Sequence, residues 1–240
     1  DDRTSRGLGD VYKRQVYIVE AVCMGAVLVL ISLVPLQDGP PYRNLSSNSP
    51  ASVGQRPRPT TRLPWLLPLL PVLLISVVAT GILALQQSAL PLDLVRGGLV
   101  RPALSESHSS ALISLQLTLL VSLQWPVGRW LAERSVAFGL GLSLAGFSLG
   151  CSLIALSSLF ENGTILVLAS LLPMAFAQAA FLPTATEAVI EETPPEHRGL
   201  AMALFSQCFA ISAIVAPLAG GALLDLQNNG LLLWLLMGGA

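Results

Sequence analysis

Long apolar runs alternate with short polar connectors along this chain. An α-helix needs about 20 mostly apolar residues to cross a lipid bilayer, and six runs reach that length: residues 16–36, 64–89, 109–131, 136–160, 165–190 and 199–226. A shorter run at 231–240 is predicted to begin a further helix. Because backbone groups must find hydrogen-bond partners inside the segment when they lie in lipid, each run is predicted to be helical. The pattern predicts an all-α polytopic membrane protein with six full transmembrane helices and a truncated seventh.

Composition agrees with a chain whose main partner is the lipid bilayer. Hydrophobic residues make up 53% of the chain and charged residues 11%, against about 25% charged residues in an average soluble protein. The alternative, buried helices of a large soluble protein, is disfavoured by six consecutive runs with so few charges between them. A net charge of −1 with a single lysine, Lys13, gives no basic surface for nucleic acid.

The two ends of the sequence are predicted to lie outside a complete fold. Residues 1–15 resemble translated sequencing-adaptor sequence and are set aside as a non-native segment, although a real polar loop is the alternative. The run at 231–240 is too short to span a bilayer. We therefore expect the sequence to be an internal fragment of a longer protein.

Arginine in the connectors predicts the orientation in the membrane. Cytoplasmic loops of membrane proteins carry an excess of Lys and Arg. One set of alternating connectors holds seven arginines and the other holds two, Arg96 and Arg101; the seven are Arg43, Arg56, Arg58, Arg62, Arg129, Arg134 and Arg198. The loop at 37–63 and the connectors after residues 131 and 190 are therefore predicted to be cytoplasmic, in a multi-pass protein of the cell membrane, of the bacterial inner membrane type or equivalent.

The run at 199–226 carries the most specific motif. It opens with Arg198-Gly199-Leu200-Ala201 and closes with the nine residues Pro217 to Asp225, which include Gly220 and Gly221. This pattern, RGxA followed by PxxGGxLxD, resembles the eleventh helix of major facilitator superfamily transporters. The resemblance implies that the six runs are helices six to eleven and that 37–63 is the cytoplasmic linker between two halves. The first half would be a missing part of the same chain. Pro217, Gly220 and Gly221 are expected to permit bending and close helix packing.

A second, weaker motif lies between the runs at 109–131 and 136–160. The segment from Pro126 to Ser135 is similar to the cytoplasmic signature GxLaDRxGRR of the same superfamily, and its candidate gating residues are Gly128, Arg129, Glu133 and Arg134. Glu133 replaces Asp, the acid–Arg pair comes one residue late, and the trailing Gly-Arg is missing. Interfacial arginine and tryptophan that simply anchor a helix end are the alternative.

Glycine and proline distinguish two further runs. Gly146 and Gly150 form a small-xxx-small pattern for close helix packing in the run at 136–160, which has no charge. The run at 165–190 contains Pro173 and Pro183 with Gln178 between them, which suits a bending helix beside a cavity.

Polar side chains within the spans are the candidates for contact with a solute. The substrate-binding candidates are Gln86, Gln87, Gln116, Gln178 and Gln207, and Gln124 and Ser206 are polar as well. They fall on helices seven, eight, ten and eleven, which line the central cavity in the resembled superfamily. Gln116 and Gln178 are the strongest candidates, whereas Gln86, Gln87 and Gln124 lie close to predicted span ends. No charged residue lies in the middle of these spans. Interhelical hydrogen bonding without any solute contact is the alternative.

The sequence contains no motif that predicts catalysis. His108 and His197 lie in connectors without metal-ligand spacing, and the common nucleophile, phosphate-binding and zinc motifs do not occur. We expect no enzyme activity, no metal and no cofactor. The predicted function is secondary active transport of a small solute by alternating access, with efflux of amphipathic compounds as the first choice. A non-transporting membrane scaffold or receptor-like protein is the alternative.

Overall fold

A computed structural model describes residues 65–239, and this range consists of helices and short connectors. The long elements are α1 (Leu66–Arg96), α2 (Glu106–Leu131), α3 (Val136–Ser157), α4 (Gly163–Glu191), α5 (Arg198–Gln227) and the shorter α6 (Leu231–Gly239), with a 3-10 turn at Pro195–His197. Helices α1 to α5 are each long and apolar enough to cross a membrane. The predicted all-α polytopic membrane fold is confirmed. The predicted segment 1–15, helix 16–36 and linker 37–63 all lie outside the described residues.

Helix α1 is longer than predicted. Its predicted end is residue 89, but the helix continues through Pro91 and Asp93 to Arg96. Proline is tolerated in membrane helices because neighbouring groups satisfy the backbone atoms that it frees. The charge of Asp93 is tolerated because Arg101 lies against it. The other described helix ends fall within three residues of their predicted positions.

Helix α4 lies at the centre of the bundle. It packs against α3 and α2, and also contacts α5 and α1. Its buried face contains small residues, with Ala177, Ala180 and Ala185 fully buried. Small residues let membrane helices approach closely. The position of Gly146 on α3 shows how close, since a Cβ there would lie 2.9 Å from Ala177 Cβ.

A hydroxyl seam joins α1 to α5. Thr80 Oγ1 lies 2.7 Å from Ser212 Oγ, and the Ser212 hydroxyl donates to the carbonyl of Val77 at 2.9 Å. Farther along the same interface, a Cβ at Gly220 would lie 2.5 Å from Leu85 Cδ2. Gly221, by contrast, has nothing within 4 Å of its Cβ position. Gly220 is thus the member of the Gly-Gly pair that faces α1.

Successive helices run in opposite directions, so each connector lies at one of two opposite ends of the bundle. At one, called here the Arg101 end, the connector 97–105 folds against the end of α3, where the Val100 N–H donates to the Ser158 carbonyl at 2.9 Å. At the other, called the Arg134 end, the Trp65 and His197 rings stack with centroids 4.9 Å apart. The two ends therefore differ in which connectors they contain, as the alternation of apolar runs predicts.

Candidate functional site

Three buried glutamines from three helices meet near the middle of the bundle. Gln86 on α1, Gln116 on α2 and Gln178 on α4 are each less than 10% exposed. The Gln178 Nε2 group donates to Gln86 Oε1. Gln86 does not lie at a span end as predicted, because α1 continues ten residues beyond it to Arg96. These three residues are called the amide cluster below.

Gln116 contacts the backbone of α4 rather than another side chain. With its amide oriented to satisfy both atoms, the nitrogen donates to the Leu171 carbonyl at 2.9 Å and the oxygen accepts from the Ala175 N–H at 3.2 Å. Side-chain amides can be placed only from their hydrogen-bond partners, and this orientation gives each atom one. The amide of Gln116 therefore links α2 to α4.

A small cavity lies beside the amide cluster. Its volume is about 30 Å³, and it is lined by the three clustered glutamines together with Gln87, Leu90, Leu112, Ile113, Leu117 and Leu171. No charged side chain lines it. Amide groups donate and accept hydrogen bonds without carrying charge. The lining can therefore orient a neutral polar group beside an aliphatic one.

Other polar residues predicted to meet a solute lie elsewhere. Gln124, Ser206 and Gln207 are exposed in the described bundle and do not line this cavity. Gln87 is exposed but stands at the cavity edge. The structure therefore brings together Gln86, Gln87, Gln116 and Gln178 from the predicted set and leaves Gln207 apart.

A larger groove lies between α1, α5 and α6. It has a volume of about 240 Å³ and an apolar lining apart from Ser212, whose hydroxyl already bonds to the Val77 carbonyl. Such a surface has no free polar group with which to orient a solute. The smaller cavity at the amide cluster is therefore the better candidate site, despite its size.

A buried ion pair at the Arg101 end was not predicted. Arg101 and Asp93 have fully buried side chains, and Arg101 Nη2 lies 3.1 Å from Asp93 Oδ2. Arg101 also donates to Ser157 Oγ at 2.5 Å and to the Asp93 carbonyl at 3.1 Å. The Trp234 indole N–H donates to Asp93 Oδ2 at 3.3 Å. The Asp93–Arg101 cluster therefore joins α1, the connector, α3 and α6.

Two glycines allow the cluster to form. A Cβ at Gly98 would lie 2.6 Å from Ser158 Cα, and one at Gly230 would lie 2.5 Å from Asp93 Oδ1. A side chain at either position would push the connector or α6 away. Arg101 lies in a connector, as predicted, but its side chain is buried because this close approach packs the connector against α3. The spacing Pro91, Asp93, Gly97-Gly98 and Arg101 could have signalled it, since an acid inside a helix of this kind needs a nearby base.

The predicted gating residues lie around the turn between α2 and α3. Gly128 and Arg129 belong to α2, while Glu133 and Arg134 lie in the turn. Arg134 Cζ stands 5.5 Å from the Trp130 ring centroid and 5.8 Å from that of Phe138. Among residues 65–239 no ion pair includes Glu133 or Arg134. The contacts of Arg134 in the described bundle are therefore aromatic rather than acidic.

Arg134 also borders a pocket between α2, α3 and α4. The pocket is lined in part by Gly128, Thr184 and Glu187. On its α3 side a Cβ at Gly139 would come within 2.7 Å of the Thr184 side chain. Arginine and glutamate are thus held on neighbouring elements without a direct salt bridge.

Metal binding finds no support in the part of the chain that the structure covers. Within residues 65–239 no group of three or more His, Cys, Asp or Glu side chains is placed to hold an ion.

Comparison with known protein families identifies this arrangement of helices. A model of the Major Facilitator Superfamily matches residues 72–239. The chain belongs to this superfamily. Membership confirms the resemblance seen in the sequence and identifies the chain as a multi-pass membrane transporter of the major facilitator kind. No curated protein and no solved structure matches it.

The superfamily match covers both clusters described above. Residues 72–239 include Gln86, Gln116 and Gln178 as well as Asp93 and Arg101. Both the neutral and the charged cluster are therefore features of the transporter domain itself.

Proposed function

We propose that this chain forms the carboxyl-terminal half of a secondary active transporter that moves a small neutral or amphipathic solute by alternating access. The observation that carries this proposal is the amide cluster, in which α1, α2 and α4 each supply a buried glutamine to a cavity without charged lining. Polar groups inside membrane bundles mark solute pathways. Amides beside leucine and isoleucine suit a solute with both polar and apolar parts.

The size of the cavity supports a site shared between two halves. Sites for small molecules usually have volumes of about 300–1,000 Å³, whereas this cavity measures about 30 Å³. In transporters built from repeats, the solute lies near the bilayer midplane where the repeats meet. We propose that the amide cluster is one wall of such a site and that the preceding half of the transporter supplies the other.

The charges at the two ends support a cytoplasmic Arg134 end. At the Arg101 end, Arg96 pairs with Asp225 at 2.7 Å and Arg101 pairs with Asp93. At the Arg134 end, Arg129, Arg134 and Arg198 have no acidic partner within 4.0 Å among residues 65–239. Arginine near the ends of the spans favours the cytoplasmic side, and acidic neighbours change this preference little. Three arginines lie at the Arg134 end and two at the Arg101 end.

We also propose that the turn between α2 and α3 belongs to the inner gate. Gly128, Arg129, Glu133 and Arg134 lie where the two helix ends meet, and Arg134 packs on the rings of Trp130 and Phe138. A cation over an aromatic ring is attracted by about 0.5–1 kcal/mol at an exposed site. A contact of that strength can hold one arrangement of helix ends and still exchange for another.

Transport by the full-length protein tests the proposed site. Everted membrane vesicles containing the protein are energised, and uptake of an amphipathic fluorescent dye reports efflux; a panel of neutral metabolites in whole cells reports import. Gln178→Leu removes the amide that donates to Gln86 and keeps a side chain of similar volume. Gln124→Leu makes the same change outside the cavity and is the matched control. Loss of one hydrogen bond worth about 0.5–1.5 kcal/mol is expected to raise KM about 2- to 10-fold.

The control variant should keep the KM of the natural sequence. Equal KM values for Gln178→Leu, Gln86→Leu and the natural sequence, with normal amounts of protein in the membrane, would show that the amide cluster is not a solute site. Absence of transport for every solute tested, by a correctly inserted full-length protein, would contradict the transport proposal itself.

A further inference from the structure

Gln116 bridges two backbone groups that belong to one turn of α4. In a regular α-helix the N–H of residue i donates to the carbonyl of residue i−4, so Ala175 and Leu171 are natural partners. The Gln116 amide contacts both, at 3.2 Å from the Ala175 nitrogen and 2.9 Å from the Leu171 oxygen. The Gln116 side chain of α2 therefore bonds to both the donor and the acceptor of one backbone hydrogen bond of α4.

The bridged turn contains Pro173. Proline in a helix interior has no N–H to donate, and its ring presses on the carbonyl four residues earlier, which weakens the turn and kinks the helix. Helix α3 also packs tightly against this turn, since a Cβ at Gly146 would lie 3.1 Å from the Pro173 carbonyl oxygen. The Pro173 turn is thus held between Gly146 of α3 and Gln116 of α2.

The same amide also lines the cavity of the proposed site. Gln116 stands there with Gln86 and Gln178, and Leu171 of the bridged turn is part of the lining. A solute in the cavity meets an amide that is already bonded to α4. The Leu171 and Ala175 bonds use one of the two N–H groups and one of the two oxygen lone pairs of that amide. A donor or acceptor of the solute that bonds to the remaining groups draws the amide into the cavity and away from the α4 backbone.

We infer that Gln116 is a positioning residue that clamps the Pro173 turn of α4, and that solute entering the cavity loosens the clamp by competing for its amide. When the amide leaves, Leu171 and Ala175 bond only to each other and the turn becomes more regular. The segment from Pro173 to Glu191 is about 27 Å long at 1.5 Å per residue. A small change of angle at the turn therefore moves the Arg134 end of α4 by several ångströms.

This inference rests on the proposed function for the identity of the cavity, but the clamp itself is tested without transport. The full-length protein in nanodiscs, with Cys23, Cys151 and Cys208 replaced by alanine, receives spin labels at Ala132→Cys and Glu192→Cys. These two positions are exposed at the ends of α2 and α4. Pulsed electron paramagnetic resonance gives the distribution of distances between them.

Gln116→Leu is expected to shift the mean distance without solute by roughly 5 Å, because a change of about 10° at the turn displaces the end of a segment about 27 Å long by that amount. Solute should then cause no further shift. Gln86→Leu is the matched control, since it removes a cavity amide that does not contact the α4 backbone. It is expected to keep the natural distance and to raise the KM for the solute.

The outcomes separate the two proposals. If Gln116→Leu shifts the distance while neither variant changes KM, the clamp stands and the solute site is wrong. If Gln116→Leu or Gln116→Met gives a monodisperse protein with the natural distance distribution, with and without solute, the clamp is wrong. Gln116→Met provides the second variant because it keeps the length of the side chain and removes both hydrogen bonds.

Discussion

The Asp93–Arg101 cluster and the amide cluster differ in charge, although both are buried among apolar helices. Each brings buried polar groups from several helices together inside an apolar bundle. At the Arg101 end the groups are charged, fully buried and bonded to α3 and α6. In the middle they are neutral, and one of them contacts a proline-weakened turn.

The difference lies in what each cluster costs to break. Removing one partner from a buried ion pair costs about 3–5 kcal/mol, because the other charge stays buried without compensation. Interhelical hydrogen bonds between neutral groups in membranes average about 0.6 kcal/mol. The charged cluster is thus expected to fix its helices firmly, whereas the neutral cluster can exchange contacts at low cost, as the proposed transport requires.

The largest expected effect comes from breaking the charged cluster. Arg101→Gln leaves Asp93 buried without a cation, and we expect the free energy of unfolding in detergent to fall by about 3 kcal/mol or more. Denaturation by increasing sodium dodecyl sulfate, followed by tryptophan fluorescence, measures it. Adding Asp93→Asn to this variant should recover part of the loss, because no uncompensated charge then remains.

Arg96→Gln is the control for that experiment. Arg96 and Asp225 form an ion pair at 2.7 Å, but their side chains are 33% and 68% exposed. Exposed pairs contribute at most about 1 kcal/mol. If Arg101→Gln and Arg96→Gln lower the free energy of unfolding equally, the buried ion pair does not stabilise the bundle more than the exposed one.

A change in packing beside the neutral cluster should have an intermediate effect. Leucine at Gly146 must displace either Ala177 or the Pro173 carbonyl, which lie 2.9 and 3.1 Å from the Cβ position. Overpacking of this kind costs about 1–3 kcal/mol. The same detergent titration measures it, with Gly141→Leu as control because nothing lies within 4 Å of that Cβ position. If Gly141→Leu lowers the free energy of unfolding as much as Gly146→Leu, the loss is due to the change in helix propensity and not to contact with α4.

The smallest expected effect on stability is that of the glutamine pair. In a double-mutant cycle of Gln86→Leu and Gln178→Leu, the coupling free energy should be about 0.6 kcal/mol and no more than about 1.7. Transport should respond more strongly than stability to the same variants. A coupling of 3 kcal/mol or above would place the pair with the structural contacts of the Arg101 end.

Sequence patterns predicted the helices well because a membrane span needs a minimum length of apolar residues, which can be counted. They also predicted which helices carry glutamines. They did not predict that Gln86, Gln116 and Gln178 meet while Gln207 is apart, because the facing of a side chain depends on how helices rotate against each other. The pairing of Asp93 with Arg101 was missed for a related reason: the connector between them folds back through glycines whose close contacts are visible only in three dimensions.

The position of Trp234 has a consequence for biosynthesis. Its indole group, from the first turn of α6, is the donor that reaches Asp93 on α1, 141 residues earlier in the chain. Proteins emerge from the ribosome starting at the amino terminus, so α1 enters the membrane well before this donor exists. Until α6 is made, Arg101 is the partner that lies against the Asp93 carboxylate in the folded bundle. The hydrogen bond from Trp234 can form only after the other described helices have been synthesised.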